Sequence, residues 1–174
     1  PTKTGYTFAG WFKEAALNNA WNFASDKVEA ATTLYAKWTP NTDTSYKVEH
    51  YQQDVTGTGY TLKDTEDLTG TTDALATAVA KEYTGFTENQ EHEDRLVEDN
   101  IAPDGSLVLK LYYDRDTFTV SFESNGGTAV ADITGVRYEA TITAPPAPTK
   151  TGYTFAGWFK EAALTNRSEE RRVG

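Results

Sequence analysis

The sequence predicts a mainly β protein assembled from small tandem modules, with truncated modules at both ends. Three observations carry this. Apolar and polar residues alternate with period two along most of the chain, which is the pattern of half-buried strands. Turn residues stand between the alternating runs. The same 17 residues, PTKTGYTFAGWFKEAAL, occupy 1–17 and 148–164, an offset of 147 residues that marks a repeat array. A module used many times is normally structural, whereas a catalytic site is normally built once, so the repetition points to a stalk or binding array.

The elements follow in chain order. Leu34, Ala36 and Trp38 share one face of an expected strand. The runs 46–54 and 60–68 flank Gly57-Thr58-Gly59 and read as a hairpin. The stretch 73–81 is ambiguous: Asp73 is a possible helix cap, which keeps an α+β variant open. Thr77 and Val79 alternate well enough for extended structure, which is the reading adopted. Pro103-Asp104-Gly105 presets a turn. After it, Leu107, Leu109, Leu111 and Tyr113 make the clearest strand in the chain. Phe118, Val120 and Phe122 lie on one strand face with Thr119, Ser121 and Glu123 opposite. Asn125-Gly126-Gly127 supplies a turn, and Val136, Tyr138 and Ala140 resume the alternation.

Breaks in this pattern divide the chain. Residues 1–39 form the later part of one module, and 40–44 (PNTDT) a polar linker. Residues 45–116 form a complete middle module, and 117–166 the early part of a second copy of the first. Joining 117–164 to 18–39 reconstructs a unit of about 70 residues, a normal small-domain size. The halves are complementary, so two chains could complete each other by swapping. The final octamer 167–174, RSEERRVG, replaces the Ala20-Trp21-Asn22-Phe23 continuation of the first copy. It resembles one reading frame of a DNA-sequencing adapter and reads as a read-through artefact. The sequon at Asn166 depends on it and is discounted.

Composition narrows the function. The net charge of −10 argues against binding nucleic acid or anionic membranes through bulk charge. No cysteine is present, so disulfides, thiolate metal sites and cysteine nucleophiles are excluded. Aromatic residues make up 13% of the chain and can supply large buried areas to small cores. No apolar run approaches the length of a membrane span.

The reconstructed unit resembles the Listeria–Bacteroides repeat, the B-repeat of internalin-type surface proteins. The residues that carry the resemblance are FTVSFESNGG (118–127), PTKTGYTFAGWFK (148–160), WNF (21–23) and TLYAKW (33–38). The middle module, with YKVEHYQQD (46–54), YTGF (83–86) and LVLKLYYDRD (107–116), resembles modules found between such repeats and looks like a mucin-binding-protein (MucBP) domain. Both resemblances imply β-grasp, ubiquitin-like modules on Gram-positive cell-surface proteins. The expected core is Tyr6, Phe8, Trp11, Leu34, Tyr35 and Trp38, with Phe118, Val120, Tyr138, Tyr153, Phe155 and Trp158 in the second copy. Gly10 and Gly157 are expected at bulges or close backbone approaches. Truncation should leave some of these aromatics without partners and expose apolar surface and strand edges.

Candidate chemistry is sparse. His50 and His92 are the only histidines. Their spacing matches no metal motif, and the simpler reading is a strand-face histidine and a solvated charged loop. The carboxylates Asp64, Glu66, Asp67, Glu98 and Asp99 are of the type glycosidases use, but an acidic surface explains them more simply. Asp114-Arg115-Asp116 lacks the rest of a calcium loop and reads as a strand end. No cofactor, metal or catalytic site is expected.

The aromatics Trp11, Trp21, Trp38, Tyr51, Tyr60 and Tyr112 are candidates for a sugar-stacking platform, although alternation favours core packing for most. Tyr112 and Tyr113 must face opposite ways on one strand, so Tyr112 with Tyr51 is the candidate surface contact. The leading expectation is a spacer and adhesion fragment of an extracellular, cell-wall-associated repeat protein. Its expected partners are host glycoprotein, mucin or matrix and neighbouring repeats, with no nucleic acid and no direct membrane insertion. A glycan-binding lectin-like module and accessory repeats of a surface enzyme are the alternatives.

Overall fold

A computed structural model describes residues 1–162; the octamer and the end of the second repeat lie outside the described residues. The fold is mainly β. No helix occurs among the described residues, so the α+β variant and the helix of a ubiquitin-like module are not seen there. The chain divides into two compact units, 1–115 and a second that begins at Asp116.

The first unit opens with β1 (Tyr6–Phe12) and β2 (Tyr35–Pro40), paired antiparallel. Their register shifts between Phe8 and Gly10, and Gly10 has φ 124°, so the expected bulge is present. Next come β3 (Thr44–Gln53) and β4 (Tyr60–Gly70), the expected hairpin. Its turn is closed by the Asp54 amide donating to the Gly59 carbonyl at 2.9 Å.

The chain returns as β8 (Val108–Arg115), which lies parallel to β3 at the centre of a sheet ordered β4-β3-β8-β6. Adjacent parallel strands need a crossover of a dozen residues or more. Here it carries β5 (Leu75–Thr77), β6 (Phe86–Glu88) and β7 (Glu98–Asn100). β6 extends the sheet beyond β8, while β5 and β7 pair with each other. Within the ambiguous stretch 73–81, Leu75–Thr77 is strand, and Asp73 sits at positive φ (63°) in a turn rather than capping a helix.

The main core lies on one face of this sheet. Leu107, Leu109, Leu111 and Tyr113 supply it from the β8 segment, with Val48 from β3, and Ala76, Ala78 and Ile101 from the crossover. The alternation that picked out 107–113 thus identified the central buried face. The terminal aromatics did not form the core. None of the twelve expected residues is fully buried, and Tyr35, Phe118, Tyr153 and Phe155 are exposed, Tyr153 by 72%. Only Phe12, absent from that expectation, is buried in the β1–β2 hairpin. A two-stranded ribbon has no second layer to cover its apolar face, so the expected exposure of partnerless aromatics is what the terminal segments show.

The hairpin is held to the middle segment at one locus. The Gly5 carbonyl accepts from the Asn41 amide at 2.9 Å and from Thr72 Oγ1 at 2.8 Å, and Thr72 Oγ1 lies 2.6 Å from Thr44 Oγ1 in a buried pair. The Tyr6 hydroxyl donates to the Asp73 carboxylate. Gly5 has φ 78°, and a Cβ there would stand 2.7 Å from the Pro103 backbone.

Gly152, the same residue in the second copy, also has φ 78° but nothing within 4 Å of that Cβ. Gly5→Ala is therefore expected to cost about 1–3 kcal/mol of local stability, from backbone strain plus the clash. Gly152→Ala carries only the strain, about 1 kcal/mol. Hydrogen exchange checks this: β1 and β2 should lose protection in Gly5→Ala while β3 and β8 keep theirs.

The second unit contains β9 (Thr117–Val120) and β10 (Ile133–Arg137), paired antiparallel. The turn at Asn125 and Gly126 has φ 49° and 81° as expected. Phe122 packs on Trp158, with ring centroids 4.9 Å apart.

Candidate functional site

The polar and aromatic side chains of the middle segment gather on β3 and β8, one cluster on each face. Both clusters follow from alternation. Val48 and His50 point to the core with Leu109 and Leu111, so Tyr51 and Tyr112, paired in register, point to the other side.

On the core face His50 is fully buried. Its Nδ1 lies 2.9 Å from the Tyr113 hydroxyl and its Nε2 2.8 Å from Glu66 Oε1. The Lys81 amide donates to the Tyr113 oxygen at 2.9 Å. With its hydrogen on Nε2, the imidazole donates to the Glu66 carboxylate and accepts the Tyr113 proton, so both ring nitrogens are satisfied. Lys81 closes the circuit, its Nζ lying 3.3 Å from Glu66 and pairing also with Asp64. The Tyr83 ring meets Tyr113 edge-on with centroids 5.0 Å apart.

The hydrogen bond from His50, then the Lys81 ammonium, holds the Glu66 carboxyl below its ordinary value against the opposing effect of burial. The bond from Lys81 likewise lowers Asp64, and that to Asp64 raises Lys81. A depressed carboxyl contributes stability above its unfolded value and loses it as pH falls through the folded one. The middle segment's urea midpoint should therefore fall on acidification below about pH 4.5, the usual glutamate value. Glu66→Gln should flatten that slope in an acid titration of stability.

On the outer face Tyr51 and Tyr112 stack with centroids 5.0 Å apart at 14°. His92 lies over Tyr112 at 3.7 Å and 3°, and Tyr60 meets His92 edge-on at 4.6 Å. The Tyr60 hydroxyl donates to Asp114, which also accepts from Asn89 Nδ2 at 3.0 Å. The hydrogen bond to Glu49, with burial adding to it, pushes the Tyr51 hydroxyl up to about 12.

The structure thus brings the two sequence-chosen tyrosines together. Tyr51 is half-buried, and Tyr112, beneath His92, is 7% exposed. His50 and His92 fall in separate clusters. His92 is half-buried on Tyr112 rather than solvated in its loop. No group of three or more potential metal ligands is arranged around a common point among the described residues.

Sequence reasoning missed Glu66, Lys81 and Tyr113 as partners of His50. The signal was present in the hairpin register. Val48 opposes Glu66 and His50 opposes Asp64, which sets both carboxylates beside a histidine on the core face. The Tyr113 and Lys81 contacts needed the crossover and were not legible.

The repeat segments are identified by their sequence pattern. The Listeria-Bacteroides repeat domain model matches residues 1–37 and 118–172. The chain belongs to the Listeria-Bacteroides repeat family. Both matched stretches fall where FTVSFESNGG, PTKTGYTFAGWFK and TLYAKW had suggested the family.

Among curated relatives of this repeat chain, a protein of Evansella cellulosilytica named provisionally as a Gly-rich membrane protein is 29% identical over 97% of the chain and 19% of its own length. A second from that organism, named provisionally as a membrane protein, is 29% identical over 95% of the chain and 24% of its own length. Internalin H of Listeria monocytogenes is 48% identical over 46 residues, 26% of the chain and 8% of that protein. The chain therefore spans at most about a quarter of the length of these relatives. No solved structure matches it.

Proposed function

We propose that this chain is a stretch of a repeat stalk on the surface of a Gram-positive bacterium. In this reading, B-type repeats alternate with middle modules of residues 45–116, and 40–44 joins the two. The observation that carries it is the identical 17-residue segment at a 147-residue offset, matched by the repeat family at both ends. Support comes from the Evansella alignments, which run through the middle module as well as both repeats. Support also comes from the resemblance to internalin H.

In this reading the modules are non-catalytic, extracellular and attached to the cell wall, and they hold a distal domain away from it. The parallel pairing of the module's first and last long strands favours a β-grasp class for 45–116. Concatenating two, four and six copies of the 147-residue unit tests the spacer role. Small-angle scattering should show a maximum dimension that grows in proportion to copy number. Collapse to a compact particle would remove the stalk reading.

The Tyr51–Tyr112–His92 stack favours a second role for the middle module, adhesion to glycans of host glycoprotein, mucin or matrix through the half-buried Tyr51. Many weak sites along an array would gain avidity. A glycan array probed with the chain and with Tyr51→Ala tests this. Binding lost in the variant supports it, and equal signals from both chains would end it.

A further inference from the structure

The topology of the middle segment fixes how it meets tension. We infer that residues 44–115 form a mechanical clamp, loaded in shear when the chain is pulled along its length. Its use in a stalk rests on the spacer reading, but its physics does not.

The chain enters at Thr44, the first residue of β3, and leaves at Arg115, the last of β8. These strands are neighbours and parallel, in register from Lys47 opposite Val108 to Gln52 opposite Tyr113. Entry and exit therefore lie at opposite ends of one ladder. Pulling them apart slides β3 along β8. The backbone hydrogen bonds run across the strands, so the whole ladder bears the load together and must fail together.

Contacts at both ends of the ladder and on both its faces lock the same slide. The Lys47 amide donates to the Leu107 carbonyl at 3.0 Å at one end, and Arg115 Nε donates to the Gln53 carbonyl at 2.8 Å at the other. Between them the His50–Tyr113 contact and the Tyr51–Tyr112 stack span the sliding pair, one on each face. A slip of one residue would turn the Leu109 and Leu111 face outward, so no neighbouring register offers a resting point. The β1–β2 hairpin has the opposite geometry. Tyr6 pairs with Pro40, so tension applied there opens that ladder one pair at a time.

The experiment follows from the absence of cysteine, because two introduced thiols alone define the direction of pull. In the full chain, Thr42→Cys with Asp116→Cys pulls β3 and β8 in shear. Thr58→Cys with Asp116→Cys pulls from the turn after β3 and the end of β8, which lie at the same end of the ladder, and peels it. Optical-tweezers unfolding should need several-fold more force in the first pair than in the second at equal loading rate. Equal urea midpoints for the two variants show that both fold alike. Equal forces, or a weaker shear direction, would overturn the clamp while leaving the spacer reading to its own scattering test.

Discussion

Leu111→Ala should lower the stability of the middle segment by about 2–5 kcal/mol, the range for emptying a buried leucine site. Leu111 is 0% exposed in β8, a strand with neighbours on both sides. It belongs to the core cluster that also holds Val48, Ala76, Leu109 and Ile101. Backbone paired on both edges has little freedom to collapse into the space, which argues for the upper part of the range.

A module of this size has roughly 4–11 kcal/mol in total at ordinary per-residue stability, so the variant should sit near its unfolding midpoint in low urea. Trp11, Trp21, Trp38 and Trp158, the four tryptophans of the chain, all lie outside 45–116. Tyrosine near-UV dichroism is therefore the right probe of the middle segment. Phe23→Ala, at a ring 72% exposed, is the control and should change stability by less than about 0.5 kcal/mol. Equal effects from the two would mean that the sheet face is not the core.

His50→Ala should cost about 2–4 kcal/mol, from a small cavity and from two partners left unpaired. Inside the fold the Tyr113 hydroxyl would lose its acceptor and Glu66 its imidazole donor. The Lys81 amide would still donate to the tyrosine oxygen, so the tyrosine hydrogen is the one left without a partner. His50→Gln keeps a donor and an acceptor on a comparable stem and should recover part of the loss.

A double-mutant cycle of His50→Ala with Glu66→Gln shows whether the circuit acts as a unit. Coupling above about 0.5 kcal/mol is the expected result for groups in one network. Strict additivity would mean that histidine packing alone accounts for the effect. The chemistry stays structural, since the ring is sealed from solvent and its two nitrogens are both engaged.

Parts of this site were legible in the chain and parts were not, for definable reasons. Tyr51 and Tyr112 were chosen from strand alternation, and their stacking follows because β3 and β8 are adjacent and in register. That Tyr112 is covered depends on His92, which reaches it from the connection between β6 and β7. Nothing local to either residue encodes that approach. The core shows the same limit. The Leu107–Tyr113 face was legible because period two is a local property, whereas the burial of Ala76 and Ala78 depends on where the crossover lands.

The two copies of the 17-residue segment separate what the sequence determines from what the tertiary structure decides. Gly5 and Gly152 both have φ 78°, and Gly10 and Gly157 both have φ 124°. Tyr6 donates its amide to Lys3 at 3.1 Å, and Tyr153 to Lys150 at 3.0 Å. Phe8 meets Trp11 at 5.5 Å, and Phe155 meets Trp158 at 5.2 Å. These features arise within a few residues and recur wherever the sequence does.

The strand does not recur. Tyr6–Phe12 pairs with Tyr35–Pro40, while 153–159 forms no named strand and Tyr153 stays 72% exposed. Only the first copy is followed in this chain by TLYAKW. A turn closes its hydrogen bonds on itself, but a strand must find its donors and acceptors on another strand, and that partner is supplied by the rest of the fold.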